Sequence, residues 1–224
     1  MEEENNSTTT KPYDAEIQKM KVVVFGSTGG TGRQLVEQAL EEGHRVTALA
    51  RHPEKFPMQH EHLRIVQGDV LDSDCVVAAV SGQDAVMSAL GTKQRGPVSI
   101  CTDGIKRILT AMTTHGVRRL VAISAYGAAD SHRQDLYNFF LWTFMKQKMI
   151  DKEHMEELIK QSGLDWTVVR PAALTDGPRT QRYHTGTDLH MKLSSKISRA
   201  DVADFMLRQL TDATYVHKAP AIAA

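Results

Sequence analysis

The chain has 224 residues, with 27 Lys and Arg against 27 Asp and Glu, so apart from its 10 His it carries no formal net charge. That length suits one α/β domain, and the balanced charge argues against a nucleic-acid surface or a polybasic membrane anchor. Two cysteines, Cys75 and Cys101, with no CxxC pair, argue against a disulfide framework and fit a reducing cytoplasm, the compartment expected here.

Residues 1–19 are acidic and polar, lack the apolar stretch of a signal peptide, and are expected to form a disordered tail. Residues 20–224 read as one domain. The β-branched run 21–25 predicts a buried strand, and the apolar spacing of Leu35, Val36, Ala39 and Leu40 predicts a helix over 31–42, stopped by Gly43. Strands follow at 45–50 and 63–67, a short helix at 73–81, a strand at 85–90 and a helix at 99–114. A strand at 120–124 leads into a helical stretch, 133–161, with a break near its middle. The last strand spans 166–170 and is closed by Pro171; the last helix spans 199–210, with Ser198 as N-cap and Asp201 three residues on. Short apolar strands alternating with helices predict a doubly wound parallel sheet, a Rossmann fold, with ligands at the carboxyl ends of the strands. The segments around 128–150 and 174–197 are expected to cover a substrate.

The strongest motif is Gly26-Ser27-Thr28-Gly29-Gly30-Thr31-Gly32, placed between the first strand and the first helix. Gly26 permits the tight turn, Gly29 the approach of a pyrophosphate, and Gly32 close packing of helix on sheet. The helix N-terminus adds free N–H groups for the phosphates, and the hydroxyls of Ser27, Thr28 and Thr31 are expected to assist. An NAD site usually ends its second strand in a carboxylate, whereas here the strand ends Leu49-Ala50-Arg51. The fork of Arg51, with Lys55 beside it, suits the 2′-phosphate of NADP(H). Asp69 and Val70 are placed for the adenine, and Leu90-Gly91-Thr92 for the ribose.

The Tyr-x-x-x-Lys pair of ordinary short-chain dehydrogenases is absent: none of the 5 tyrosines is followed four positions later by lysine. That favours acceptors able to delocalise charge, or no catalysis at all. Tyr126, Tyr137, Lys152 and His154 stay open as proton donors. Half of the positions in 136–145 are aromatic in a chain that is 6% aromatic. Tyr137, Phe139 and Trp142 are therefore expected in an apolar wall for a planar substrate; core packing and a dimer patch are the other readings. Arg179, Arg182, Tyr183 and His184 fall in a long connection that commonly shapes substrate pockets. His60-Glu61-His62 is too short a cluster for a metal. Residues 138–145, the longest apolar candidate, are too few to span a bilayer.

Together with the glycine loop, Gly68-Asp-Val-Leu71, Gly82-Gln-Asp-Ala-Val86, His115-Gly-Val117 and Ser162-Gly-Leu-Asp-Trp-Thr-Val-Val-Arg-Pro171 give residues 20–217 a strong likeness. This part resembles the atypical, NmrA-like short-chain dehydrogenases/reductases, and within them the biliverdin-IXβ and flavin reductases. The resemblance implies a Rossmann fold, NADPH, and a small planar acceptor such as a flavin, quinone or biliverdin. It places Ser124 and Pro171-Ala172-Ala173 beside the nicotinamide and Lys152 by the ribose. Ser124, Lys152 and Tyr126 are the catalytic candidates, and the chain is expected as a monomer or homodimer with no nucleic-acid, membrane or metal partner. Some relatives of the NmrA-like kind bind NADP without turning it over, which leaves a redox sensor as the alternative.

Overall fold

The computed structural model describes residues 19–56, 58–92, 96–132 and 136–224. The tail expected over 1–19 thus lies, but for Lys19, outside the described residues. Six parallel strands, β1 (Lys21–Phe25), β2 (Arg45–Ala50), β3 (Leu63–Gln67), β4 (Ala85–Ser88), β5 (Arg119–Ile123) and β6 (Asp165–Pro171), stand in the order β3-β2-β1-β4-β5-β6. Among the described residues five α-helices cover them: α1 (Gly30–Glu41), α2 (Ser73–Val80), α3 (Ile100–His115), α4 (Leu136–Lys160) and α5 (Arg199–Arg208). The strand order reverses between β1 and β4, so the carboxyl ends of these two strands open the crevice where this fold takes ligands.

Side-chain alternation in β1 explains the two-sided core. Val22 and Val24 pack with Leu35, Val36 and Ala39 of α1 and with Val202 and Met206 of α5. Val23 and Phe25 point the other way, onto Val76 of α2, Ile105 and Ile108 of α3, and Met155 and Ile159 of α4. A strand buried on both faces has no polar side, which is why the run reads as continuously apolar.

Three differences from the sequence reading concern ends and additions. β4 stops at Ser88 rather than at residue 90: its register partner Phe25 is the last residue of β1, and the Ala89 N–H makes the closing bond to the Phe25 carbonyl. The helix expected from 133 begins at Leu136, residues 133–135 lying outside the described residues, and it breaks at Met145, whose φ is −127°. That break separates a half with exposed Phe139, Phe140 and Phe144 from one whose Met149, Met155 and Ile159 are buried. Four short strands were not foreseen. β7 (Ala173–Thr175) pairs in parallel with β9 (Lys196–Ser198), while β8 (His184–Gly186) runs antiparallel to β10 (Ala221–Ala223), which extends the main sheet beside β6. Each has three residues, too few for a periodic signal.

Candidate functional site

The loop from β1 into α1 is built by what its glycines exclude. Gly26 has φ +73°, and a Cβ there would stand 2.5 Å from the carbonyl oxygen of Ala89, just past neighbouring β4. A Cβ on Gly32 would come within 2.1 Å of the Gly26 carbonyl oxygen, so α1 packs directly on the turn. Gly29 differs: its nearest neighbour is the Gly26 carbonyl oxygen at 3.2 Å, and the residue is exposed. Gly91, just past β4, has nothing within 4 Å of a Cβ position. Packing thus demands glycine at 26 and 32, while 29 and 91 leave room for something outside the chain. α1 has Gly29 as N-cap, no side-chain cap and no acid in its first turn, so its leading N–H groups face outward unneutralised.

Ser27 does not present its hydroxyl to this opening as expected. Its side chain is buried and donates to the Leu49 carbonyl at 2.8 Å, joining the loop to β2. A buried hydroxyl needs a partner, and the end of β2 supplies one. Thr31 is also buried, and Thr28 is exposed.

The adenosine side lies beyond β2 and β3. Arg51 is 73% exposed, and its Nη1 stands 3.9 Å from Asp69 Oδ2. The other carboxylate oxygen of Asp69 accepts from the Leu71 N–H at 2.9 Å, leaving one oxygen and the Arg51 fork toward solvent. Val70 is buried against Gly104 of α3. The side chain of Lys55 lies outside the described part of the structure.

At the carboxyl ends of β4 and β5, Lys152 Nζ donates to the carbonyls of Leu90 (2.9 Å) and Ile123 (2.8 Å). The preceding residue, Asp151, is buried and accepts from the N–H groups of Cys101 (3.0 Å) and Thr102 (2.9 Å), capping α3 from another helix. Burial raises the Cys101 thiol, which is bonded to the Leu90 carbonyl and unsuited to act as a thiolate. Three buried hydroxyls find no partner among the described residues: Ser88, Ser124 and Tyr126. Ser88 ends β4, and Ser124 follows β5, the strand beside it. A buried polar group left unbonded costs roughly 1–3 kcal/mol, so such groups at a sheet's carboxyl edge suit a polar ligand. The Tyr126 ring is enclosed by Ala172, Met191, Ala221 and Ala223.

Of the proposed wall, Tyr137 meets Tyr126 edge-on at 5.5 Å. Trp142 donates to the Gly127 carbonyl at 3.0 Å and stacks on His132 at 4.5 Å. Phe139 does not join them: it is 65% exposed and touches only Phe140 among the aromatic rings described. His154 is exposed. Pro171 and Ala172 are buried at the end of β6, and Ala173 is exposed at the start of β7. Leu90 is buried and Thr92 half-buried.

In the connection after β6, Arg179 and Tyr183 anchor the chain rather than face a pocket. Arg179 Nε donates to Asp204 of α5 at 2.7 Å and its Nη2 to Glu42 at 2.7 Å, while the Tyr183 hydroxyl bonds Asp204. Arg182 and His184 are exposed. The sequence reading also missed the buried ion pair of Arg170 (β6) with Glu156 (α4), Nε to Oε1 3.1 Å, which Asp130 joins. A charged residue inside an apolar strand was the available signal. Among the described residues there is no cluster able to hold a metal and no helix long and apolar enough to cross a membrane.

The NAD(P)H-binding family model matches residues 26–213. An uncharacterized chloroplastic protein of Arabidopsis thaliana is 32% identical over 176 residues, which cover 73% of this chain and 62% of that protein. The chain therefore spans less than two thirds of that relative. The oxidoreductase ylbE of Lactococcus lactis superposes with a TM-score of 0.79 at 21% identity, covering 91% of this chain and 90% of the other. ChuY, an anaerobillin reductase of Escherichia coli O157:H7, does so with a TM-score of 0.76 at 22% identity, covering 90% and 96%. At these identities the likeness speaks for the fold.

Proposed function

The chain belongs to the NAD(P)H-binding family, and from that premise we propose that it is an NADPH-dependent reductase of a planar, charge-delocalising acceptor such as a flavin, quinone or tetrapyrrole. The observation that carries the reading is the carboxyl edge of the sheet. There Lys152 is locked onto two backbone carbonyls, and the buried hydroxyls of Ser88 and Ser124 have no partner among the described residues. The bound dinucleotide supplies hydride.

The chain's own part is positioning and exclusion of water. The N–H groups at the start of α1 receive the phosphates, and Gly29 leaves them space. Arg51 takes the 2′-phosphate; its separation from Asp69 makes that ion pair a weak competitor. Ser124 offers a hydroxyl to the nicotinamide end, and Pro171, Ala172 and Tyr126 wall it. No lysine stands four residues after a tyrosine to serve as in ordinary short-chain dehydrogenases, and two of the three ammonium donors of Lys152 are taken by Leu90 and Ile123. An acceptor that spreads the incoming charge needs no strong acid and takes its proton from solvent.

The test is NADPH consumption with flavins, quinones, a linear tetrapyrrole and simple ketones, each against a protein-free control. Turnover confined to the planar acceptors is expected. Ketone reduction as fast as flavin reduction would contradict the reading. Tight dinucleotide binding with no turnover of any acceptor would favour the redox sensor.

A further inference from the structure

Gly30 is the loop glycine whose side-chain space is filled by another side chain rather than by backbone. A Cβ on Gly30 would stand 2.6 Å from Cδ and 2.8 Å from Nε of Arg199. Arg199 thus lies over the first residue of α1, beside the N–H groups that receive the phosphates. It opens α5, and the backbone there is fixed from several sides. Ser198 Oγ accepts from the Asp201 N–H at 2.9 Å, and the buried Asp201 carboxylate accepts from the N–H groups of Thr180 and Gln181 at 2.7 and 2.8 Å. Gln38 of α1 donates to the Ala200 carbonyl at 2.9 Å. The start of α5 is therefore clamped to α1, while the Arg199 side chain is held by one exposed carboxylate.

That partner is Asp176, 2.6 Å from Nη1 and 92% exposed, whereas the arginine is 29% exposed. A guanidinium beside the positive end of α1, in a first turn without a carboxylate, has the wrong sign for helix stability. The solvent-screened Asp176 offsets it only in part. A diphosphate at the glycine loop is the anion that both positive groups lack.

We propose that Arg199 is a cofactor-binding residue that contacts the pyrophosphate, with Asp176 as the partner it leaves when the dinucleotide arrives. This rests on the glycine loop holding a dinucleotide. Arg199 and Arg51 then divide the work. Arg51 reads the 2′-phosphate that distinguishes NADPH from NADH, and Arg199 reads the diphosphate common to both.

The experiment is fluorescence titration of NADPH and of NADH into wild-type protein and into Arg199→Met, Arg199→Lys and Asp176→Asn, with a thermal melt of each. Arg199→Met is expected to weaken both dinucleotides by the same factor, about 10- to 100-fold, as befits one charge-assisted contact. The effect should shrink as salt rises. Arg199→Lys should recover part of the loss, and Asp176→Asn should bind as tightly as wild type or tighter. A folded Arg199→Met that binds both dinucleotides like wild type overturns the proposal, as does a loss confined to NADPH. If Arg199→Met does not fold, Arg199→Lys decides: equal weakening of both dinucleotides supports the contact, and unchanged affinity overturns it. Wild-type protein that binds neither dinucleotide would instead overturn the reading of the loop, and the Arg199 contact with it.

Discussion

Lys152 Nζ donates to the Ile123 carbonyl at 2.8 Å, tying the second half of α4 to the carboxyl end of β5. Its second bond, to the Leu90 carbonyl, takes in the chain just past β4. One ammonium thus sets the spacing of two strand ends at the mouth of the crevice. Lys152→Met removes two charged hydrogen bonds, and roughly 2 kcal/mol of stability is expected to go with them. The KM for the dinucleotide should rise as the two ends relax. Urea denaturation and steady-state kinetics on the same preparation check both; a variant as stable as wild type would show that the carbonyls do not depend on the amine.

The pair Arg170–Glu156 asks more of the fold. Both side chains are almost fully buried. Glu156→Ala leaves the guanidinium in the interior with only Asp130, which is largely exposed. Breaking one side of a buried pair costs about 3–5 kcal/mol, so the urea midpoint should fall sharply. Asp130→Asn, at the solvent side, should cost less than about 1 kcal/mol.

Tyr126→Phe is expected to leave kcat within about threefold, because the proposed acceptor spreads the incoming charge and takes its proton from solvent. The variant should be as stable as wild type or more so, since a buried, unpartnered O–H is removed. Loss of kcat by 100-fold or more, with KM unchanged, would make Tyr126 the general acid after all.

His44 gives the fold a pH dependence. Its ring is buried and its Nδ1 accepts from the Met20 N–H at 3.1 Å, an acceptor role that needs the neutral form. Burial lowers its pKa below the ordinary 6.5, despite the raising influence of Glu42. With the folded pKa depressed, this contribution is fully present above pH 6.5 and is lost as pH falls below that through the folded value. Chemical denaturation across that range should show stability declining toward acid. In His44→Asn, which keeps an acceptor but does not titrate, that part of the slope should vanish.

The alternating fold was legible because it rests on patterns longer than a turn. Val22 to Phe25 are apolar without interruption, and Leu35, Val36, Ala39 and Leu40 repeat at helical spacing. The Ser198 N-cap was legible too, since capping is local chemistry: its Oγ accepts from the Asp201 N–H as the spacing implies. What escaped was non-local. Ser27 reads as a phosphate-binding hydroxyl until the end of β2 is found beside it. Arg179 and Tyr183 read as pocket residues until Asp204 is seen to gather them. Arg199 gave a signal only through Gly30, a glycine beyond the loop's own spacing whose reason lies in another helix. Phe139 sits in an aromatic run, but it stands exposed in the half of α4 before the break at Met145.

The most direct test of the account is kcat/KM for NADPH and for NADH, measured with one accepted planar acceptor, in wild-type protein and in Arg51→Ala. Turnover well above the protein-free rate is predicted, with NADPH preferred by roughly 10- to 100-fold and the preference largely gone in the variant. Equal use of the two dinucleotides by wild type, or a preference that survives the loss of Arg51, would contradict it.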